Sequence, residues 1–198
     1  MKILQVVSYY YPHVGGIEQT SRDYAYAFKQ AGVKDCEQRV FCFRADKGGD
    51  VREEIDGVRV TRCKSFAKVA SQSLSFTYGR NLKREIEEFQ PDYVMFHYPN
   101  PFAAHYLLKQ LKKHPEIRLV LVWHLDIFKQ KLLKLFFTGQ SKKLLRRADA
   151  VIATSPNYIA GSKFLSAFKE KCRVLPSCVD TVRLAPTDED EAAAAKLK

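Results

Sequence analysis

Several polar residues directly follow short apolar runs, and these are the positions that could do chemistry. Ser8 follows residues 3–7 and opens the stretch Tyr9-Tyr10-Tyr11-Pro12-His13-Val14-Gly15-Gly16-Ile17-Glu18. His97 follows residues 93–96, His124 follows 119–123, and Thr154-Ser155 follows 151–153. Gly15 and Gly16 stand just before a segment of helical period. Two residues without side chains let backbone N–H groups approach an anion, and a helix N-terminus adds partial positive charge. A diphosphate fits such a place; a tight turn needing positive φ explains the glycines equally well. Glu18 either orients a ligand or complements the helix dipole. The spacing G-x-G-x-x-G is absent, which disfavours a dinucleotide. An imidazole at His124 can hydrogen-bond a sugar hydroxyl or stabilise a developing charge. A bond from that ring to backbone is the competing reading, and the same pair of readings applies to His97. The two histidines lack an evident third ligand, so no metal site is expected. Asn100, between two prolines, reads as a turn former.

The elements that must carry these residues follow from the pattern of apolar positions. Residues 3–7, 40–43, 93–96, 119–123, 151–153 and 174–175 read as strands. The middle runs are continuous, which suits strands buried on both faces of a parallel sheet. Residues 58–63 alternate and read as a partly exposed strand. Helical spacing runs through Ile17, Thr20, Tyr24, Ala27, Phe28 and Ala31, with Gly32 as its stop. Further helices are predicted over 78–89, 102–113, 127–147 and 156–168. Strands alternating with helices predict an α/β fold, a doubly wound, mostly parallel Rossmann-like sheet with helices on both faces. Ligands bind such sheets outside the carboxyl ends of the strands, where the polar rim lies. Residues 187–198 begin with acids and end with bases, the order that complements a helix dipole, but offer almost no apolar face. They read as a connector to something absent.

The chain of 198 residues carries 33 basic and 22 acidic side chains, a net charge of +11. With 46% hydrophobic residues it is neither disordered nor fibrous. Five cysteines, Cys36, Cys42, Cys63, Cys172 and Cys178, form no C-x-x-C pair and read as reduced small hydrophobes. The N-terminal apolar run is too short for a signal peptide and Gln5 interrupts it, so a cytoplasmic location is expected. From Phe128 to Arg147 the chain bears Lys129, Lys131, Lys134, Lys142, Lys143, Arg146 and Arg147 without an acid. Such a segment, from Lys129 to Arg147, suits an anionic membrane surface, or it covers the sheet with its apolar stripe. No nucleic-acid motif accompanies the charge, and no nucleic-acid partner is expected.

The ordered set of motifs resembles the N-terminal domain of glycosyltransferase family 4, one half of a GT-B fold. The opening strand, loop, Gly15-Gly16-Ile17-Glu18 and helix carry part of the likeness. Trp123-His124-Leu125-Asp126-Ile127 with Gln130-Lys131 is similar to that family's W-H-S-D-I…Q-K stretch. Residues 147–156 (Arg147-Ala148-Asp149 onward to Ser155-Pro156) and Leu175-Pro176-Ser177-Cys178-Val179-Asp180 resemble its R-A-D…S and I-P-x-G-[IV]-D stretches. Leu125 stands where the family often has serine, and Cys178 where it has glycine. The flavour is that of bacterial polysaccharide or lipopolysaccharide mannosyl-type transferases.

The resemblance implies a retaining hexosyltransferase that moves a sugar from a nucleotide-sugar to a saccharide or lipid-linked saccharide acceptor. It implies an acceptor-side domain over residues 1–180 and a helical tail over 181–198 leading to a donor domain with a Glu-x7-Glu motif. The chain by itself is then expected to be inactive. Gly15 and Gly16 would face the donor phosphates and His124 would lie near the transferred sugar as the catalytic residue. Glu18, His97, Asp126, Lys131 and Ser155 are the further substrate-binding candidates. No metal or other cofactor is expected; the nucleotide-sugar is a substrate. The rival readings are a non-catalytic saccharide- or membrane-binding module and a different Rossmann-like nucleotide-binding enzyme.

Overall fold

The computed structural model describes residues 1–32, 35–69, 72–126, 134–177 and 185–196. Its main sheet uses β1 (Lys2–Val6), β2 (Glu37–Phe43), β3 (Val51–Ile55), β4 (Val58–Cys63), β7 (Tyr93–Tyr98), β8 (Arg118–Trp123), β9 (Ala150–Ala153) and β10 (Cys172–Val174). A separate hairpin joins β5 (Ala67–Val69) to β6 (Gln72–Leu74). The order across the main sheet is β10-β9-β8-β7-β1-β2-β4-β3. Every pairing is parallel except β3 on β4. The strands are short apolar runs because helices cover them: Leu4, Val6, Val40, Phe41, Phe96, Leu119 and Leu121 are all inaccessible to solvent.

Helix α1 (Gly16–Gln30) lies on one face of the sheet, with Ala25 and Ile17 against Val7, Val40, Val58 and Val60. Helices α2 (Tyr78–Phe89), α3 (Pro101–Leu111) and α4 (Lys134–Arg147) cover the other face. Their Leu82, Ile86, Phe89, Leu107, Leu111, Leu144 and Leu145 form one core with the strands. The chain winds outward from β1 through α1 to β2 on one side, and from β7 through α3 and α4 to β9 on the other. The winding direction therefore reverses between β1 and β7, the crevice where open α/β sheets place ligands.

The doubly wound sheet agrees with the sequence reading, with local departures: β3 and the β5–β6 hairpin were not expected, and the last strand is Cys172–Val174 rather than residues 174–175. Strand β4, expected to be partly exposed, is buried apart from its exposed Arg59, because β3 closes the sheet edge beside it. The β3–β4 hairpin turns on Asp56-Gly57, both at positive φ (53° and 76°), the residues such a turn requires. The helix expected over 156–168 is broken. Helix α5 is Pro156–Gly161, and a 3-10 turn, Leu165–Lys171, follows. Ser162 sits between them in an extended conformation, its hydroxyl accepting from the backbone N–H of Phe164 and Leu165. These bonds hold the chain at the break between α5 and the 3-10 turn. Helix α1 ends as expected, with Gly32 at φ 61° just past its last turn. Helix α6 (Asp188–Ala195) occupies the acidic tail. The start of the helix expected from residue 127, and Cys178 to Asp180, lie outside the described residues.

Candidate functional site

Parallel strands put the ends of β1, β7, β8 and β9 on one rim, so the rim gathers residues far apart in sequence. At the end of β1 the chain runs over Tyr10, which is buried, and turns by a bond from His13 N–H to the Tyr10 carbonyl (3.1 Å). Arg62 of β4, 7% exposed, donates to the carbonyls of Tyr10 and Tyr11 and pairs with Glu53. This guanidinium holds the loop that leads to the glycines. Tyr9 bonds Ser73 on the hairpin (2.7 Å), and the Arg22 guanidinium stacks on Tyr11 at 3.9 Å.

Gly15 is the N-cap of α1 in extended backbone (φ −174°, ψ 165°), and no side chain caps the helix. Neither Gly15 nor Gly16 has positive φ, which removes the tight-turn explanation for the pair. A Cβ on Gly15 would meet the Glu18 carboxylate, which folds back over it in the first helical turn. That is the dipole-complementing position. A Cβ on Gly16 would meet nothing within 4 Å. Glycine at 16 is demanded by neither backbone nor packing, and no side chain caps the helix that begins there.

His124 follows β8, its backbone N–H bonded to the Tyr98 carbonyl (3.1 Å). The ring makes a different contact from the backbone bond considered as its alternative: Nε2 lies 3.1 Å from Nδ1 of His97. The two rings are nearly parallel, 15° apart with centroids at 5.3 Å. His97 Nε2 lies 3.1 Å from Oε1 of Gln5 on β1. His97 is fully buried with both ring nitrogens occupied, so it reaches the rim only through His124. As a direct substrate contact, the role expected for it, His97 has no free atom to offer. Burial pushes the His124 pKa down to about 4, and burial with the neighbouring ring pushes His97 well below its usual range. Both are neutral near pH 7, so this pair can exchange hydrogen bonds with a hydroxyl but does not supply positive charge. Among the described residues no group of three or more His, Cys, Asp or Glu side chains is placed to hold a metal ion.

Asp126 turns inward, 3% exposed. Its carboxylate accepts from Trp123 Nε1 (2.8 Å), Ser162 Oγ (2.9 Å) and the more distant Tyr158 hydroxyl (3.4 Å). It ties the end of β8 to α5, and so positions the chain after His124 from behind. Ser155 is the N-cap of α5, accepting from Tyr158 N–H (3.1 Å). Asn100 does what its turn reading implied and more: it caps α3 through Ala103 N–H (3.0 Å) and donates to Ser8 Oγ (3.0 Å). Lys131 lies outside the described residues.

The basic segment resolves into two parts along α4. Leu144 and Leu145 are buried in the core, so this end of the segment packs on the sheet. Arg147 donates to the carbonyls of Ile117 (2.5 Å) and Pro115 (3.4 Å) and pairs with Asp149. It is committed to the fold. Lys142, Lys143 and Arg146 are exposed. No helix among the described residues is long and apolar enough to cross a membrane.

Gln5 and Arg62 were not singled out by sequence reasoning. Gln5 had a signal, as the polar residue inside the apolar run of the first strand. A recess of about 310 Å³ beside the glycine loop is lined by Tyr10, His13, Arg44, Asp46, Glu53 and Arg62 among others. Its cations are already paired, Arg44 with Asp46 and Arg62 with Glu53.

Residues 14–183 match Glycosyltransferase Family 4. The chain is 32% identical over 178 residues to an O-antigen chain mannosyltransferase C of Escherichia coli, covering 89% of this chain and 45% of that protein. It is 27% identical over 169 residues to a D-rhamnosyltransferase WbpZ of Pseudomonas aeruginosa, covering 84% and 42%. The chain thus spans less than half the length of these relatives. Among solved structures it resembles Anabaena Alr3699/HepE in complex with UDP and glucose (TM-score 0.64, 17% identity, all of this chain and 50% of that one). It also resembles the trehalose-6-phosphate synthase OtsA (TM-score 0.65, 11% identity, all of this chain and 55% of that one). At such identities the likeness speaks for the fold, a Rossmann-like half of the GT-B architecture. The length of the family match, together with the rim that carries its motifs, makes this chain a member of glycosyltransferase family 4.

Proposed function

We propose that this chain is the acceptor-side domain of a retaining glycosyltransferase that takes a sugar from a nucleotide-sugar and passes it to a saccharide or lipid-linked saccharide. In this reading residues 1–180 form the domain and 181–198 a helical connector to a donor-binding domain. The full-length protein is the active species, working in the cytoplasm. Gly16 carries the reading. Glycine there serves neither φ nor packing, and it is the first residue of a 15-residue helix that no side chain caps. Backbone N–H groups and the helix dipole would stabilise the departing nucleoside diphosphate, a role that needs no metal in this reading. The relatives named as a mannosyltransferase and a rhamnosyltransferase support a hexose-type donor. The neighbour solved with UDP and glucose supports a nucleotide-sugar.

His124 would touch the transferred sugar as a neutral hydrogen-bonding group. The recess beside the glycine loop suits an acceptor rich in hydroxyls, because its paired charges present both donors and acceptors at little net charge. Lys142, Lys143 and Arg146 would hold the domain at an anionic membrane surface when the acceptor is lipid-linked.

The test is Gly16→Val in the full-length protein, assayed for sugar transfer from a panel of nucleotide-sugars. The side chain enters open space, so the melting temperature should hold within about a degree. Transfer should fall at least about a hundredfold through steric exclusion, as loss of one preorganised donor group costs on the order of 3 kcal/mol. Normal transfer by the variant removes the phosphate role of this loop.

A further inference from the structure

The crevice between β1 and β7 holds a chain of polar side chains that runs from Ser21 through Gln5 and His97 to His124, and it rests on carbonyl chemistry that admits one arrangement of protons. Gln5, fully buried, has its amide nitrogen 3.1 Å from the backbone carbonyl of Ser21 in α1. A carbonyl only accepts, so the amide N–H₂ must face it. The Gln5 oxygen therefore faces Ser21 Oγ (2.8 Å) and His97 Nε2 (3.1 Å). That oxygen also only accepts, so His97 carries its proton on Nε2. A buried neutral imidazole then has a lone pair on Nδ1. The atom facing this lone pair at 3.1 Å is Nε2 of His124. His124 must donate to it, so its proton is on Nε2 and its lone pair on Nδ1.

We propose that Gln5 and His97 are positioning residues that fix His124 in the Nε2–H tautomer, so that its Nδ1 lone pair accepts a hydrogen bond from a saccharide hydroxyl. The proposal rests on the glycosyltransferase reading only for the identity of that hydroxyl; the tautomer follows from the protein alone. The reading chooses between the two roles open to His124. A lone pair selects hydroxyl donors and repels an anionic phosphate oxygen. The relay also explains why a polar residue occupies the middle of an otherwise apolar strand. An apolar residue at position 5 would leave His97 free to place its proton on Nδ1, which would force His124 into the opposite tautomer. A histidine in the wrong tautomer can be well placed and still fail.

The experiment uses full-length protein labelled with ¹⁵N in histidine only, with long-range nitrogen–proton NMR correlations to read each ring's tautomer. His124 and His97 should both be Nε2–H at neutral pH. Gln5→Met should populate Nδ1–H His124 and lower kcat about tenfold or more, with donor KM little changed. His97→Asn and His97→Leu guard against a variant that merely misfolds. The asparagine oxygen replaces Nδ1 as acceptor, so His97→Asn should keep the His124 tautomer and lose less kcat than His97→Leu. A merely space-filling role would not rank them so. An Nδ1–H His124 in the unsubstituted protein overturns the proposal. So does Gln5→Met with an unchanged tautomer, or equal behaviour of the two His97 variants. If the tautomers are as stated but the full-length protein transfers no sugar, the relay stands and the functional reading falls.

Discussion

His124 is the residue whose chemistry depends most on what surrounds it. Its ring is half-buried against His97, and both pKa values are depressed, chiefly by burial. An unfolded histidine titrates near 6.5. Below that pH the unfolded chain binds protons that the folded chain refuses, so the unfolded state gains. The contribution of the pair to stability is fully present above about pH 6.5 and is lost as pH falls, the His124 part by about pH 4. Urea unfolding of the full-length protein between pH 7 and 5 should show stability falling with pH, and more gently in His124→Asn. Identical slopes would mean that the ring is not held neutral. His124→Ala should lower turnover about a hundredfold. It should cost only about 1–2 kcal/mol of stability, because the His97 acceptor it exposes is near solvent that can replace the bond. An unchanged rate would remove His124 from the chemistry.

At the scale of elements, helix ends carry much of the design. Asn100 and Ser155 supply the N-caps of α3 and α5, and Ser162 ends α5 and accepts from the first backbone N–H of the turn that follows. Lys171 does the converse at the C-terminus of α4. Its Nζ donates to the carbonyls of Ala148 (2.7 Å), Arg146 (2.9 Å) and Leu145 (3.2 Å). A cation that satisfies the last carbonyls also meets the negative end of the dipole. Lys171→Met should therefore cost about 1–2 kcal/mol, a fall in melting temperature of roughly 2–8 °C for a domain of this size. Sugar transfer well below that temperature should not change, since Lys171 lies away from the rim. A wild-type melting temperature would show that water serves those carbonyls equally well.

For the whole molecule, the net charge of +11 is only partly free to act. Arg39 is bound to buried Glu85, Arg62 to loop carbonyls, and Arg147 to the carbonyls of Pro115 and Ile117. On α4, Lys142, Lys143 and Arg146 are exposed. Each basic residue near an anionic surface contributes about 1 kcal/mol, so Lys142, Lys143 and Arg146 changed together to Gln should weaken binding of the full-length protein to anionic liposomes on the order of a hundredfold. The loss should shrink at high salt, where the Debye length shortens. Equal binding by the triple variant would remove this face from any membrane role. Arg147 is left in place because its loss would disturb the fold.

The apolar runs and helical spacing by themselves determined a doubly wound sheet, since a strand buried on both faces must be continuously apolar and its covering helix must repeat every three or four residues. They also put Gly15, Gly16, His97, His124 and Ser155 at strand ends, because those ends follow directly from where the runs stop. The hairpin that turns on Asp56-Gly57 was missed, because the short polar strand β3 carries no apolar run. Tertiary structure alone decided which polar residues face a ligand and which face the protein. Asp126 and Ser155 look alike at strand ends, yet one is buried under Trp123 and Ser162 and the other caps a helix. Gln5 and His97 lie 92 residues apart and meet only because β7 pairs with β1 across the point where the winding reverses. Spacing along a chain describes one strand at a time, whereas a hydrogen-bond chain across strands depends on sheet order and register. That order decided that Gly16 faces open space, that His97 cannot touch a substrate, and that His124 is held neutral at the rim.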